Sequence, residues 1–183
     1  MLSIRKYNEK DYDDVRYVCL NCDGEALTGT GAKFLLLTYC DYYIENEPDN
    51  CFVLDDDGRT VGYILCAENF DNFYEKFRAH YLPALIPLGE SRHQWAKNSV
   101  VLHEKYKDEF PAHLHVDLLP DYQRQGWGTR LMNVLFEQLR EKGVTGVMLT
   151  AGISNEAGKN FYRKHGFTEY ETFITDVAFG KKL

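Results

Sequence analysis

Apolar residues recur along this chain with two different periods. Leu2–Lys6 reads as a short strand. Tyr12, Val15, Val18, Cys19 and Cys22 then return every three or four residues, which predicts a helix. Asn8 is placed to cap it, Asp11 adds negative charge in its first turn, and Asp23-Gly24 ends it. Thr28-Gly29-Thr30-Gly31 reads as a loop, followed by a Leu- and Tyr-rich helix over Phe34–Ile44 that Glu47-Pro48 stops. Cys51–Leu54 and Thr60–Cys66 form two strands around Asp55-Asp56-Asp57-Gly58, a hairpin signal. The three aspartates lack the alternating ligands of a calcium loop, so they read as a turn.

Asn69–Pro111 interrupts the strands. Phe70, Phe73, Tyr74, Phe77, Tyr81 and Leu82 stand at near-helical spacing, Pro83 and Pro87 follow, and a second helical stretch lies near Ser91–Tyr106. A connection this long, with structure of its own, is expected to be a lid or an acceptor-site element. His113–Leu118 is a strand, and Pro120-Asp121-Tyr122 turns the chain. Gly128–Lys142 is a helix with Leu131, Met132, Leu135, Phe136 and Leu139 on one face, closed by Gly143. Val147–Thr150 is a strand, Asn155 caps a helix to about His165, and Phe167–Tyr170 and Phe173–Phe179 finish as strands. The order predicts an α+β domain over 1–183. It has a mixed, mostly antiparallel central sheet flanked by helices, with a helical insertion, 69–111, between strands three and four.

Composition adds limits. At 44% hydrophobic and 27% charged residues the chain is globular, and its 13 Tyr and 11 Phe can build a large core or an aromatic-walled pocket. A net charge of -7 argues against sequence-independent nucleic-acid binding and suits a cationic partner. No stretch reaches membrane-spanning length and no apolar run follows Met1. The odd set of five cysteines then reads as reduced thiols in a cytosolic protein. Cys19 and Cys22 match C-x-x-C, but on a helix and with no second ligand pair they read as small buried residues, and no metal is expected.

Candidate chemistry sits between the strand ending at Leu118 and the helix after Trp127. Gln123-Arg124-Gln125-Gly126-Trp127-Gly128 offers two glycines, successive amides and a helix N-terminus, the parts of a pyrophosphate site. Thr129-Arg130 after Gly128 excludes a P-loop, and no third glycine or parallel βαβ context supports a dinucleotide fingerprint. The stretch resembles the Q/R-x-x-G-x-G/A motif of the GNAT acetyltransferase superfamily. Asn155-Glu-Ala-Gly-Lys-Asn-Phe161-Tyr162-Arg-Lys-His-Gly166-Phe167 resembles that family's downstream Asn…Phe-Tyr…Gly-Phe segment. The two motifs occupy about the last third of the chain, and the order of elements fits throughout. Tyr43–Pro48, the long insertion and Pro111–Pro120 look closest to the acetyltransferase-like group of the O-GlcNAcase C-terminal domain, without its hydrolase.

The resemblance implies a GNAT fold that transfers an acetyl group from acetyl-CoA to a primary amine of a small molecule or peptide, releasing coenzyme A. It assigns the coenzyme to Leu118, Leu119, Gln123, Arg124, Gln125, Gly126, Trp127, Gly128, Thr129 and Asn155, with pantetheine along the strand and a strand amide facing the thioester oxygen. Tyr162 matches the family's acid toward the departing thiolate; the alternative is a packed helix tyrosine. Arg124, Arg130, Lys159, Arg163 and Lys164 form a local positive cluster or merely solvated helix faces. His113, His115 and Asp117 share one face of the strand. His113 stands seven residues before Pro120, where some histone acetyltransferases hold a base, and an imidazole's ordinary pKa suits that role. A His–Asp ladder that only steadies the strand is the competing reading, and Asp117 orients a histidine or binds the amine. The acceptor side is expected from Asn21–Ala32, the Tyr39, Tyr42 and Tyr43 stripe and the insertion, with Asp23, Glu25 and Asp71 as cation contacts. The alternative function is an inactive acetyl-CoA-binding or pseudo-acetyltransferase module. Dimers are common in the superfamily, and nothing here identifies an interface.

Overall fold

The structure is a computed structural model and describes residues 1–23 and 27–183. Seven strands form one sheet: β1 Leu2–Lys6, β2 Phe52–Asp56, β3 Arg59–Ala67, β4 Ala112–Leu118, β5 Gly146–Gly152, β6 Thr168–Phe173 and β7 Asp176–Lys182, in the spatial order β1-β2-β3-β4-β5-β7-β6. All neighbours are antiparallel except β4 and β5. The mixed, mostly antiparallel sheet expected from the sequence is therefore present. The Asp-Gly turn behaves as its sequence predicts: Asp57 and Gly58 take φ of +49° and +95°, and the Gly58 N–H donates to Asp55 Oδ1 at 2.9 Å.

The two faces of the sheet carry separate cores. α1 Tyr12–Asn21, α2 Gly29–Tyr39, α3 Asp41–Asn46 and the insertion cover one face. α8 Trp127–Glu141 and α9 Glu156–Lys164 cover the other. Along β3, Tyr63, Leu65 and Ala67 join the first core while Ile64 and Cys66 join the second, the period-two alternation of a strand buried on both sides.

The helix expected over Phe34–Ile44 is two helices and begins earlier. Thr28 is extended and Gly29 enters α2 at φ +61°, a conformation glycine adopts without steric cost. The chain then breaks at Cys40. One straight helix cannot turn Leu36, Cys40, Tyr42, Tyr43 and Ile44 all inward, and the break allows it. The insertion comprises α4 Phe70–Lys76, a wide π turn Phe77–Tyr81, α5 Leu82–Leu85, a 3-10 turn Ile86–Leu88, α6 Glu90–Ser99 and α7 Val101–Tyr106. Phe73 stacks on Phe77 at 5.0 Å and Phe77 on Tyr81 at 6.0 Å. These rings share the core of α1–α3, so the insertion is part of the packed body. Cys19, Cys40, Cys51 and Cys66 are buried, Cys22 is half-buried, and all five are free thiols.

The start of α1 is pinned ionically. Asn8 and Asp11 form a reciprocal capping box. Beyond the charge expected of it, the Asp11 carboxylate is buried and accepts two bonds from Arg5, at 2.6 and 2.8 Å, while Arg5 Nε reaches Asp55 at 3.0 Å. Burial works against the Asp11 charge, but Arg5 and the Asn8 amide outweigh it and hold its carboxyl below the usual range. The Gly58 amide and Arg5 do the same for Asp55. Breaking a fully buried pair costs about 3–5 kcal/mol; with a quarter of Arg5 exposed, Asp11→Asn is predicted to cost about 2 kcal/mol, read from guanidinium unfolding. Because both carboxyls are depressed in the folded state, this stabilisation is full above their ordinary value of 3.8. It is lost as pH falls through the lower folded values, and the variant's deficit should shrink there.

Candidate active site

β4 and β5 pair at only Ala112–Val147 and His113–Met148 and then diverge. On its other edge β4 stays paired with β3 from His113 to Leu118. The β5-facing edge of 114–118 is thus a strand edge exposed inside the sheet, suited to pairing with an extended ligand. Gly62 on β3 makes this local packing work, since a Cβ there would lie 3.0 Å from the Leu118 side chain. Leu119 continues the β3 contact through its N–H to Val61 O at 2.9 Å.

The loop after β4 sits at the open end of this gap. The Gln123 side chain donates to the carbonyls of Leu118, at 2.8 Å, and Cys22, at 2.9 Å. The Gln125 side chain donates to the Asp121 carbonyl at 2.6 Å. Both side-chain amides therefore shape the loop and leave its backbone N–H groups pointing outward. Arg124 and Gly126 take φ of +59° and +85°. Among the described residues nothing accepts from the N–H of Arg124, Gln125 or Gly126. Trp127, Gly128 and Thr129 form the first helical turn, whose donors lack intrahelical partners. The first bond that closes on the loop is Arg130 N–H to Gly126 O. A run of bare amides at the N-terminus of a long helix is an anion site.

The two glycines differ in role. No atom lies within 4 Å of a Cβ built on Gly126, so its backbone faces open space. A Cβ on Gly128 would lie 3.2 Å from the Phe161 ring, so that glycine admits α9 rather than a ligand. Thr129 Oγ1 bonds His165 Nε2 at 2.9 Å, and His165 Nδ1 meets the Phe161 carbonyl at 2.7 Å. This clamp between α8 and α9 has no counterpart in the motifs. Asn155 is the N-cap of α9, its Oδ1 accepting the Gly158 N–H at 2.9 Å, so that oxygen is committed to the helix. The positive cluster is thinner than expected: Arg130 lies over the Trp127 ring, Lys159 is buried against Glu156, and Arg163 pairs with Glu169. Arg124 remains exposed on the loop.

Tyr162 packs against Phe161, Phe167 and Phe179. Burial, with the Asp117 charge adding, pushes its phenol upward, so the proton stays on at neutral pH. His113, His115 and Asp117 do share a face, the histidines toward α3 and the insertion and Asp117 toward Tyr63 and the end of α1. His115 Nε2 bonds the Tyr43 hydroxyl at 3.0 Å, and Asp117 accepts from Tyr63 at 2.6 Å. Tyr63 stands directly opposite Asp117 in the β3–β4 register, a partner that becomes visible only once that register is known. The histidines depart from an imidazole's ordinary behaviour: burial, aided by neighbouring imidazoles, pushes His115 down to about 3 and His113 lower than normal. Both are neutral at physiological pH and are weak bases. Asp71, expected as a cation contact, pairs with Lys107 on the surface of the insertion. Asp23 is exposed at the end of α1, and Glu25 lies outside the described residues.

A parallel strand pair that parts within a mixed sheet, with a loop of unpaired amides where it opens, is the arrangement of the fold that the motifs resemble. The family model described as acetyltransferase (GNAT) family matches residues 29–167, and the chain belongs to that family. An uncharacterised N-acetyltransferase of Methanocaldococcus jannaschii is 25% identical over 133 residues, 73% of this chain and 45% of that protein. The match thus spans under half of that relative's length. Among solved structures, one described as SsHAT is similar with a TM-score of 0.87 and 26% identity, covering 99% of this chain and 98% of the other. PaiA N-acetyltransferase from Thermoplasma acidophilum, in complex with coenzyme A, shares the fold at a TM-score of 0.64 and 16% identity, covering 100% and 99%. Among the described residues no helix is long and apolar enough to cross a membrane.

The loop geometry separates two substitutions. Gly126→Val forces a β-branched residue to φ +85°, which costs about 1–2 kcal/mol of strain and tilts the amides. Calorimetric titration with coenzyme A should show affinity lost while the circular dichroism of the fold persists. Gly128→Ala should instead lower thermal stability by pressing on Phe161.

Proposed function

We propose that this protein moves an acetyl group from acetyl-CoA to a primary amine by direct attack in a ternary complex. The observation that carries this reading is the gap opening after His113–Met148 with bare amides at its far end. From Leu114 to Leu118 the free edge of β4 is four steps, about 13 Å. That suits an extended pantetheine arm pairing as an added strand while its pyrophosphate meets Arg124–Thr129. The thioester then lies toward the vertex of the gap, its carbonyl oxygen facing a β4 amide as an oxyanion donor.

In the step itself the neutral amine nitrogen attacks the thioester carbon; a C–N bond forms and the C–S bond breaks. The sulfur leaves as thiolate and takes the Tyr162 proton, and the new amide gives up one proton to solvent, which restores the phenol. Its raised pKa makes Tyr162 a proton donor at neutral pH. With both strand histidines neutral, a water carries the proton from the incoming ammonium, and Asp117, held by Tyr63, orients that water or the amine. The insertion, through its packing on α1–α3, supports the role of a fixed acceptor wall rather than a swinging lid. The five free thiols support a cytosolic setting.

The likeness of Tyr43–Pro48 and Pro111–Pro120 to the O-GlcNAcase C-terminal group favours a second reading, an inactive acetyl-CoA-binding module. The intact loop and Tyr162 together favour the enzyme. Tyr162→Phe is expected to lower kcat about 100-fold while the acetyl-CoA dissociation constant changes by less than about twofold. Unchanged kcat would remove the acid role. Because His115 stays neutral down to about 3, His115→Gln should leave the acidic limb of kcat/KM in place between pH 5 and 8; its disappearance would make His115 the base.

A further inference from the structure

Two residues past the last β4–β5 pair, His115 and Thr150 stand on either side of the vertex of the gap and border a small cavity of about 20 Å³. Tyr39, His103 and His113 help to wall it. This is room for a single small polar group. The imidazoles here are not satisfied. His113 is 3% exposed and His103 6%, and their rings stand 4.9 Å apart. His103 Nδ1 faces the Ser99 carbonyl at 3.2 Å, so it carries the proton and Nε2 is an acceptor. That Nε2 and both nitrogens of His113 have no hydrogen-bond partner among the described residues. Buried polar atoms are costly without partners; a neutral His113 offers one acceptor beside that of His103, so the site points to a guest that donates two bonds.

A second small cavity, also about 20 Å³, lies outward from the first and shares Ser99 with it. Its walls include Trp95 of α6 and Ile174 and Asp176 of the β6–β7 hairpin. Trp95 Nε1 donates to the Tyr39 hydroxyl at 2.8 Å, which ties the wall of one cavity to the wall of the other. Trp95 is 44% exposed and Ile174 58% exposed, the latter at φ +55°, a conformation a β-branched residue rarely holds. Together the cavities mark out a narrow path from the surface to the vertex, its walls mostly apolar with a few polar atoms.

We propose that this path admits the acceptor, and that the acceptor is an unbranched aminoalkyl chain: a primary amine on a CH2 group, either a free alkylamine or a lysine side chain. The inference rests on the acetyltransferase reading above. The ammonium is drawn in by the Asp176 carboxylate and the Trp95 ring and loses its proton on the way. Its nitrogen then donates two N–H bonds to the buried imidazoles of His103 and His113, which turns the lone pair toward the thioester carbon. Walls this close exclude a substituent on the carbon bearing the nitrogen, so α-amino groups of peptides are poor acceptors. The insertion, through His103 and Trp95, is then the specificity element.

The test uses the whole protein with saturating acetyl-CoA and reads coenzyme A release. The acceptors are n-butylamine, sec-butylamine, Nα-acetyl-lysine methyl ester and alaninamide. The two unbranched amines should turn over, and the two branched ones should have kcat/KM lower by about 50-fold or more. Comparing n-butylamine with the lysine ester distinguishes a free amine from a side chain as the natural source. His103→Leu should lower acceptor kcat/KM about tenfold or more, with acetyl-CoA affinity by calorimetry unchanged. Trp95→Ala, at an exposed position, should raise acceptor KM even if the His103 variant fails to fold. Equal use of branched amines, or no acetylation of either straight amine by protein that binds acetyl-CoA, overturns the path while sparing the coenzyme site. So does unchanged acceptor KM in Trp95→Ala, the result expected if the cavity houses only a water. Failure to bind acetyl-CoA overturns both readings.

Discussion

Ala112 and His113 pair with Val147 and Met148, and beyond them the two strands part. Nearly everything specific to this molecule depends on that parting. It leaves β4 with one edge paired to β3 and one edge bare inside the sheet, where water, another chain or a ligand must supply the missing bonds. It also directs the two ends of β4 to different tasks. The C-terminal end leads into the loop whose amides are free, and the N-terminal end stays closed beneath the insertion. Gly62, which makes room for Leu118, and Gly128, which makes room for Phe161, hold the elements beside the gap in position without touching it.

Around the vertex the protein keeps titratable groups neutral by burial. His103 and His115 are pushed down to about 4 and about 3, His113 is also pushed well down, and the Tyr43 and Tyr162 phenols are raised. The common cause is desolvation, which disfavours whichever form carries charge. The result is a set of hydrogen-bonding groups with fixed protonation across the working pH range. Such groups position and donate well but act poorly as bases. A ring system contributed largely by the insertion enforces that dryness, with Phe73 packed on His113 at 4.5 Å.

Most of the architecture was legible from periodicity and turn chemistry. β1, the Asp57-Gly58 hairpin, α8 and the Asn155 cap follow from local rules that the tertiary structure leaves in force. The departures come where burial overrides local pattern. A Gly- and Thr-rich stretch reads as loop, yet it is pulled into α2, and the chain breaks at Cys40 because five side chains must face inward. The motif pointed to the loop and to Tyr162 but said nothing of how the glutamines are used. Gln123 and Gln125 bond to carbonyls that come near only after folding. His103 carried no signal at all, being one histidine in a polar helical stretch; its significance comes from meeting His113 across the core.

Amide hydrogen exchange with and without acetyl-CoA tests the central claim most directly, because it reports on the backbone groups at issue residue by residue. The account predicts that saturating acetyl-CoA slows exchange at amides along Leu114–Leu118 and Arg124–Thr129, with little change along the β1–β2 edge of the sheet. Binding that protected other segments and left those two unprotected, or no change anywhere at millimolar coenzyme, would contradict it.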